Sequence, residues 1–107
     1  MGLLIRDGYT LDGKIPAKPG LHGEVKFSYR PALPERVVEF LRADTSTPVR
    51  ELANTIKLLS EHLVAWDEEC DPTSPETLRR VPHSALQLLV NHVTGYSATD
   101  WAEREKN

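Results

Sequence analysis

Cysteine occurs once among the 107 residues, at position 70, so an internal disulfide cannot form. That usage fits a reducing compartment. Glu68, Glu69 and Asp71 flank the thiol and oppose its ionisation, which argues against a nucleophilic Cys70. No apolar run approaches the ~18 residues that a membrane helix needs. The opening Met-Gly-Leu-Leu-Ile-Arg-Asp reaches charge after three apolar side chains, so no secretory h-region is expected. Arg6 stands where myristoylation after Gly2 wants Ser or Thr. Taken together these absences lead to the expectation of a cytoplasmic protein with no membrane partner. Also missing are a Gly-x-Ser-x-Gly elbow, a phosphate-cradling glycine loop and a Cys/His pair in a credible setting. The reading is therefore non-enzymatic, with no catalytic residue and no cofactor.

What is present is ordinary for one small globular domain spanning 1–107: 39% hydrophobic and 27% charged residues, with eight prolines that imply many short elements. Charge is unevenly spread. Residues 1–31 hold five basic and three acidic side chains, for +2, and the rest holds eight basic and thirteen acidic, for −5. An acidic helical part argues against nucleic acid as the partner.

Along the chain, 9–30 reads as a β part. Asp12-Gly13 is a dipeptide suited to the positive φ angles of a tight hairpin turn. Pro16, Pro19 and Gly20 then make a loop to about Gly23. From Glu24 to Arg30 the alternation is strict, with Val25, Phe27 and Tyr29 on one side.

The helical part, 34–106, begins with a short helix from Glu35 to Arg42. It carries Val37, Val38, Phe40 and Leu41 on one side. The stretch Thr47–Asp67 reads as the longest helix, capped by Thr47 and opened by Pro48. Val49, Leu52, Ala53, Ile56, Leu59, Leu63, Val64 and Trp66 share an apolar arc of roughly 160° on it. An acidic loop follows. Ser74, Pro75 and Glu76 start a short helix that Val81-Pro82 interrupts, and Pro82 opens a helix to about Thr94. Ala85, Leu86, Leu89, Val90 and Val93 share one face of it, and Gly95 is its C′ residue. Ser97 and Asp100 suggest a last cap, with Trp101 as anchor.

The expected fold is α+β: a mainly helical single domain with a small N-terminal antiparallel sheet from Tyr9–Ile15 and Glu24–Arg30. Its core should hold Val25, Phe27, Val37, Leu41, Leu52, Ile56, Leu59, Leu63, Trp66, Leu86, Leu89 and Val93.

Candidate chemistry is thin. Asp67, Glu68, Glu69 and Asp71 could attract a divalent cation, but an EF-hand-type loop wants alternating ligands and then glycine, where Pro72 stands. A solvated loop is the better reading. His22, His62, His83 and His92 lack ligand spacing for zinc, so no metal is expected. The helices around Thr73–Thr94 could pass for a helix-turn-helix, yet the second offers no Arg or Lys for phosphates. Leu58, opposite the long stripe, and Leu88, off the later one, suit a partner or self-association surface. Glu61 and Glu68 would keep such a surface soluble.

The run Leu63-Val-Ala-Trp66-Asp67, an acidic turn, then Thr73-Ser-Pro-Glu-Thr-Leu-Arg-Arg-Val-Pro82 and an apolar helix ending in Gly95 resembles small phage and prophage proteins of the tail-assembly-chaperone type. Phe27-Ser-Tyr-Arg-Pro-Ala-Leu-Pro34 also looks like that family's sheet entering its first helix. The likeness spans roughly 24–96. It departs from the pattern at Asp67-Glu-Glu-Cys-Asp71, which lacks the family turn's glycine. The resemblance implies a non-enzymatic protein of the host bacterial cytoplasm that binds the tape-measure protein during tail assembly, often as a homo-oligomer. Leu58, Leu88, Glu61 and Trp101 are the expected partner-binding residues. A minor tail or head–tail connector protein, or a small host-directed phage protein, are the alternatives.

Overall fold

The computed structural model describes residues 8–95. The fold is α+β, in the order β1 (Leu11–Ile15), β2 (Val25–Tyr29), α1 (Pro34–Arg42), α2 (Pro48–His62), β3 (Leu63–Trp66), α3 (Pro75–Leu78) and α4 (His83–Thr94). The strands form one antiparallel sheet ordered β1-β2-β3, so β2 is central and the other two are edges. Gly13 pairs with Phe27, and Phe27 in turn with Trp66. The alternation in β2 is realised as expected: Val25, Phe27 and Tyr29 are buried, while Lys26 is exposed. One face of the sheet packs on the helices. The buried cluster runs from Ile15 and Phe27 through Ile56 and Leu59 to Leu86, Leu89 and Val93.

Two readings of where elements lie are corrected. Asp12-Gly13 is not a turn; both residues lie inside β1. The chain reverses further on, where Lys18 and His22 bridge and Gly20 takes a positive φ of 83°. Gly13 is needed for a different reason. A Cβ built there would meet Phe27 Cζ at 2.6 Å and His92 Cδ2 at 3.0 Å, so the absent side chain lets both rings lie under the strand. His92 meets Phe27 and Tyr29 edge-on, with ring centroids 5.1 and 5.9 Å apart.

The second correction concerns the long helix, which ends at His62 rather than running to Asp67. Leu63 takes extended angles (φ −73°, ψ 139°), and its N–H still donates to Leu59 O. Leu63–Trp66 then becomes β3. The edge of β2 needs backbone partners, and a four-residue apolar run fits a strand as well as a helix. Val64 is the extra residue of a bulge opposite Ser28 and Tyr29.

The helix signals at chain starts hold in part. Thr47 Oγ1 accepts from Arg50 N at 3.2 Å, whereas Ser74 makes no side-chain cap bond. All five residues assigned to the inner face of α4 are buried, and Gly95 is left-handed with φ 82°. Of the expected core, Leu41 and Leu52 are instead exposed and Trp66 is half-buried. Ile15, Ala32, Leu58 and Leu78 join the core unannounced.

Two substitutions test this packing. Leu59→Ala removes a fully buried side chain and is expected to cost about 2–5 kcal/mol. Gly13→Ala forces a methyl into the Phe27 ring and is expected to cost about 1–3 kcal/mol despite alanine's stiffer unfolded chain. Urea denaturation measures both; a loss below about half a kcal/mol for Leu59→Ala would show that the stripe faces elsewhere.

Candidate functional site

Of the four expected partner-binding residues, Leu58 is the clearest correction: it is 0% exposed. Its neighbours on α2 explain this. Asn54, one turn earlier, donates from Nδ2 to Phe40 O of α1 at 2.9 Å. Glu61, nearly one turn later, takes Arg36 Nε of α1 at 3.0 Å. Leu58 lies on the same row, so α1 covers the side of α2 that its main stripe leaves free. Leu88 is half-buried against the core. Glu61 is exposed but engaged with Arg36 rather than free. Trp101 lies outside the described residues.

The acidic turn is organised by its own bonds. Asp67 Oδ1 accepts from Lys26 N at 3.2 Å, and Asp67 N donates to Lys26 O at 3.0 Å. Asp71 Oδ1 accepts from Thr73 Oγ1 at 2.7 Å and Thr73 N at 2.9 Å. Those bonds, the hydroxyl's first, hold its carboxyl below the usual aspartate range. Trp66 Nε1 donates to Cys70 O, which fixes the indole over the turn. Asp44 is lowered in the same way, chiefly by Ser46, and pairs with Arg50 at the start of α2. Burial raises the Tyr29 phenol. Among the described residues, no three His, Cys, Asp or Glu side chains converge as for a metal, and no helix is long and apolar enough to cross a membrane.

The feature that stands out is the overhang of α2. At fifteen residues it is about 22 Å long, against about 14 Å for nine-residue α1. Its first six residues, Pro48 to Ala53, are all exposed. Val49 is 77% exposed and Leu52 41%, and Leu41 on the last turn of α1 is 44% exposed. Five residues join the two helices, so these apolar side chains share one end of the helical layer. Below Leu52, a cleft of about 260 Å³ between α2 and α4 is lined by Pro48, Glu51, Thr55, His83, Leu86 and Gln87. Asp44, Arg50 and Glu51 ring this end with charge.

Sequence reasoning placed Val49 and Leu52 in the buried stripe, because a helical wheel records direction and not how far neighbouring helices reach. The unequal helix lengths were the available signal. A second cavity, of about 200 Å³, lies between the sheet and α3–α4, lined by Ile15, Val25, Trp66, Arg80, Val81 and Ala85 among others. It is smaller than the few hundred Å³ of an ordinary small-molecule site.

No protein-family model, curated protein or solved structure matches this chain.

The turn's bonds have a pH signature. With its folded-state carboxyl lowered, Asp71 contributes stability that is present above the ordinary aspartate range and lost as pH falls through the folded value. Asp71→Asn should therefore lower Tm at neutral pH, and the gap from the unmodified chain should close in acid. A gap constant from neutral to acid pH would show that the charge is not what holds Thr73.

Proposed function

We propose that this chain is a non-enzymatic phage or prophage tail-assembly chaperone, and that it holds its tape-measure client on the overhanging end of α2. The observation that carries the reading is the exposed group of Val49, Leu52 and Leu41 beside the α2–α4 cleft. It is joined by the resemblance of residues 24–96 to that family's succession of sheet, helices and acidic turn. A long helical client exposes an apolar stripe until tube protein encloses it. Leucine and valine on a projecting helix end can cover such a stripe in the helix-in-groove manner. Charged Asp44, Arg50 and Glu51 around the apolar group keep the free protein dispersed. A few aliphatic contacts also give moderate, reversible binding, as a factor that must later leave requires.

Co-expression tests the assignment. The cognate tape-measure protein should be soluble with this protein and precipitate without it. The paired change Val49→Asp and Leu52→Asp should abolish that rescue while leaving Tm within a few degrees, since both side chains are exposed. Leu58→Asp, by contrast, should unfold the protein, because it places a charge in the core. Rescue unaffected by the α2 pair would remove the proposed surface. Stoichiometric amounts of this protein in finished virions would favour a minor tail or connector role instead.

A further inference from the structure

The hydrogen bonds around β2 determine which way β1 presents its backbone. Lys26 and Arg30 direct their backbone groups toward β3 and the end of α2: Asp67 N donates to Lys26 O, Lys26 N donates to Asp67 Oδ1, and Arg30 N donates to His62 O. Alternate residues of a strand point to opposite edges, so Val25, Phe27 and Tyr29 bond to β1. Their register partners are Ile15, Gly13 and Leu11. Asp12 and Lys14 therefore aim their backbone N–H and C=O away from the sheet, at an edge of β1 that no other strand among the described residues occupies.

That edge is self-complementary. In an antiparallel pairing of two β1 strands about a two-fold axis at Gly13, Asp12 stands opposite Lys14 of a second copy, and the axis repeats the pair. Asp12 and Lys14 would exchange both backbone hydrogen bonds, and their side chains would meet as opposite charges on one face. Leu11, exposed at the rim, would come beside Ile15 of the second copy. Within one chain this compensation is weak. Lys14 lies directly opposite Lys26 on β2, a like-charge cross-strand pair, and its ion pair with Glu24 is long, at 3.9 Å, between two exposed side chains. The other edge, β3, is blunted by its bulge at Val64, whereas β1 is regular.

We infer that this chain forms a two-fold dimer by antiparallel β1–β1 pairing centred on Gly13, joining two three-stranded sheets into one of six strands. The interface is isologous, as a two-fold axis requires. It is short, so association is reversible and concentration-dependent. The inference rests on the β1 edge and on none of the residues of the α2 overhang, so either surface can fail its test while the other stands.

Sedimentation of the full chain over a concentration series tests it. The unmodified protein should show a monomer–dimer equilibrium that weakens as salt is added. Asp12→Lys and Lys14→Asp should each weaken association about tenfold, because both symmetry-related charge pairs become repulsive. The chain carrying both exchanges should associate as the unmodified one does. Lys14→Pro removes an outward N–H that no strand among the described residues uses, so Tm should hold while dimerisation is lost. A protein that stays monomeric at the highest attainable concentration overturns the inference. So does a dimer indifferent to Asp12→Lys and to Lys14→Pro.

Discussion

Two hydrogen bonds between Arg30 and His62 clamp the point where α2 turns into β3. Arg30 N donates to His62 O at 2.7 Å, and His62 Nδ1 donates to Arg30 O at 2.9 Å. Leu63, the next residue, is at once the C-cap of α2 and the first residue of β3. Helix and sheet are thus joined without an intervening loop. The direction of α2 fixes where β3 begins, and β3 in turn gives β2 its second hydrogen-bonded neighbour. On the helix side of β2, Phe27 and Tyr29 meet His92 of α4 edge-on, which ties the sheet to the helices. Ala32 N extends the same connection by donating to Val93 O at 2.9 Å.

What was legible in the sequence follows the strength of the local signals. The strict alternation of Glu24–Arg30 fixed both the strand and its buried side. The α4 pattern was equally plain: five apolar positions on one arc, proline before and glycine after, all realised. Leu63–Trp66 was not legible, because an apolar run that short satisfies both periods, and the choice was made by the unpaired edge of β2. Gly13 misled for a related reason. An Asp-Gly pair fits a turn locally, but ring packing under the strand required the missing Cβ. Leu58 shows the limit of a one-dimensional stripe: α2 touches α1, α3 and α4, so it is covered on more sides than any single arc describes.

The candidate surface was illegible for the complementary reason. Val49 and Leu52 lie in the direction of the core but beyond its extent. Direction is encoded in residue spacing, whereas extent depends on how long each neighbouring helix is and where it crosses. The apolar residues that a small fold leaves uncovered therefore gather at the ends of its longest element, and the polar residues beside them (here Asp44, Arg50 and Glu51) carry the burden of solubility. The sheet's free edge is similar in kind. Asp12 reads in the sequence as part of a turn, and only the register of β1 and the bonding parity of β2 show where its backbone and that of Lys14 point.

The placement of β3 also makes the sheet depend on a long-range closure. Phe27 and Tyr29 find Trp66 and Leu63 across the whole of α1 and α2, whereas β1 meets β2 across one loop. Closing the longer loop costs conformational entropy before its contacts give anything back, although helix formation in between shortens the distance to be spanned. The β1–β2 hairpin and α2 draw on local contacts, whereas the pairing of β3 with β2 is the long-range contact of the sheet.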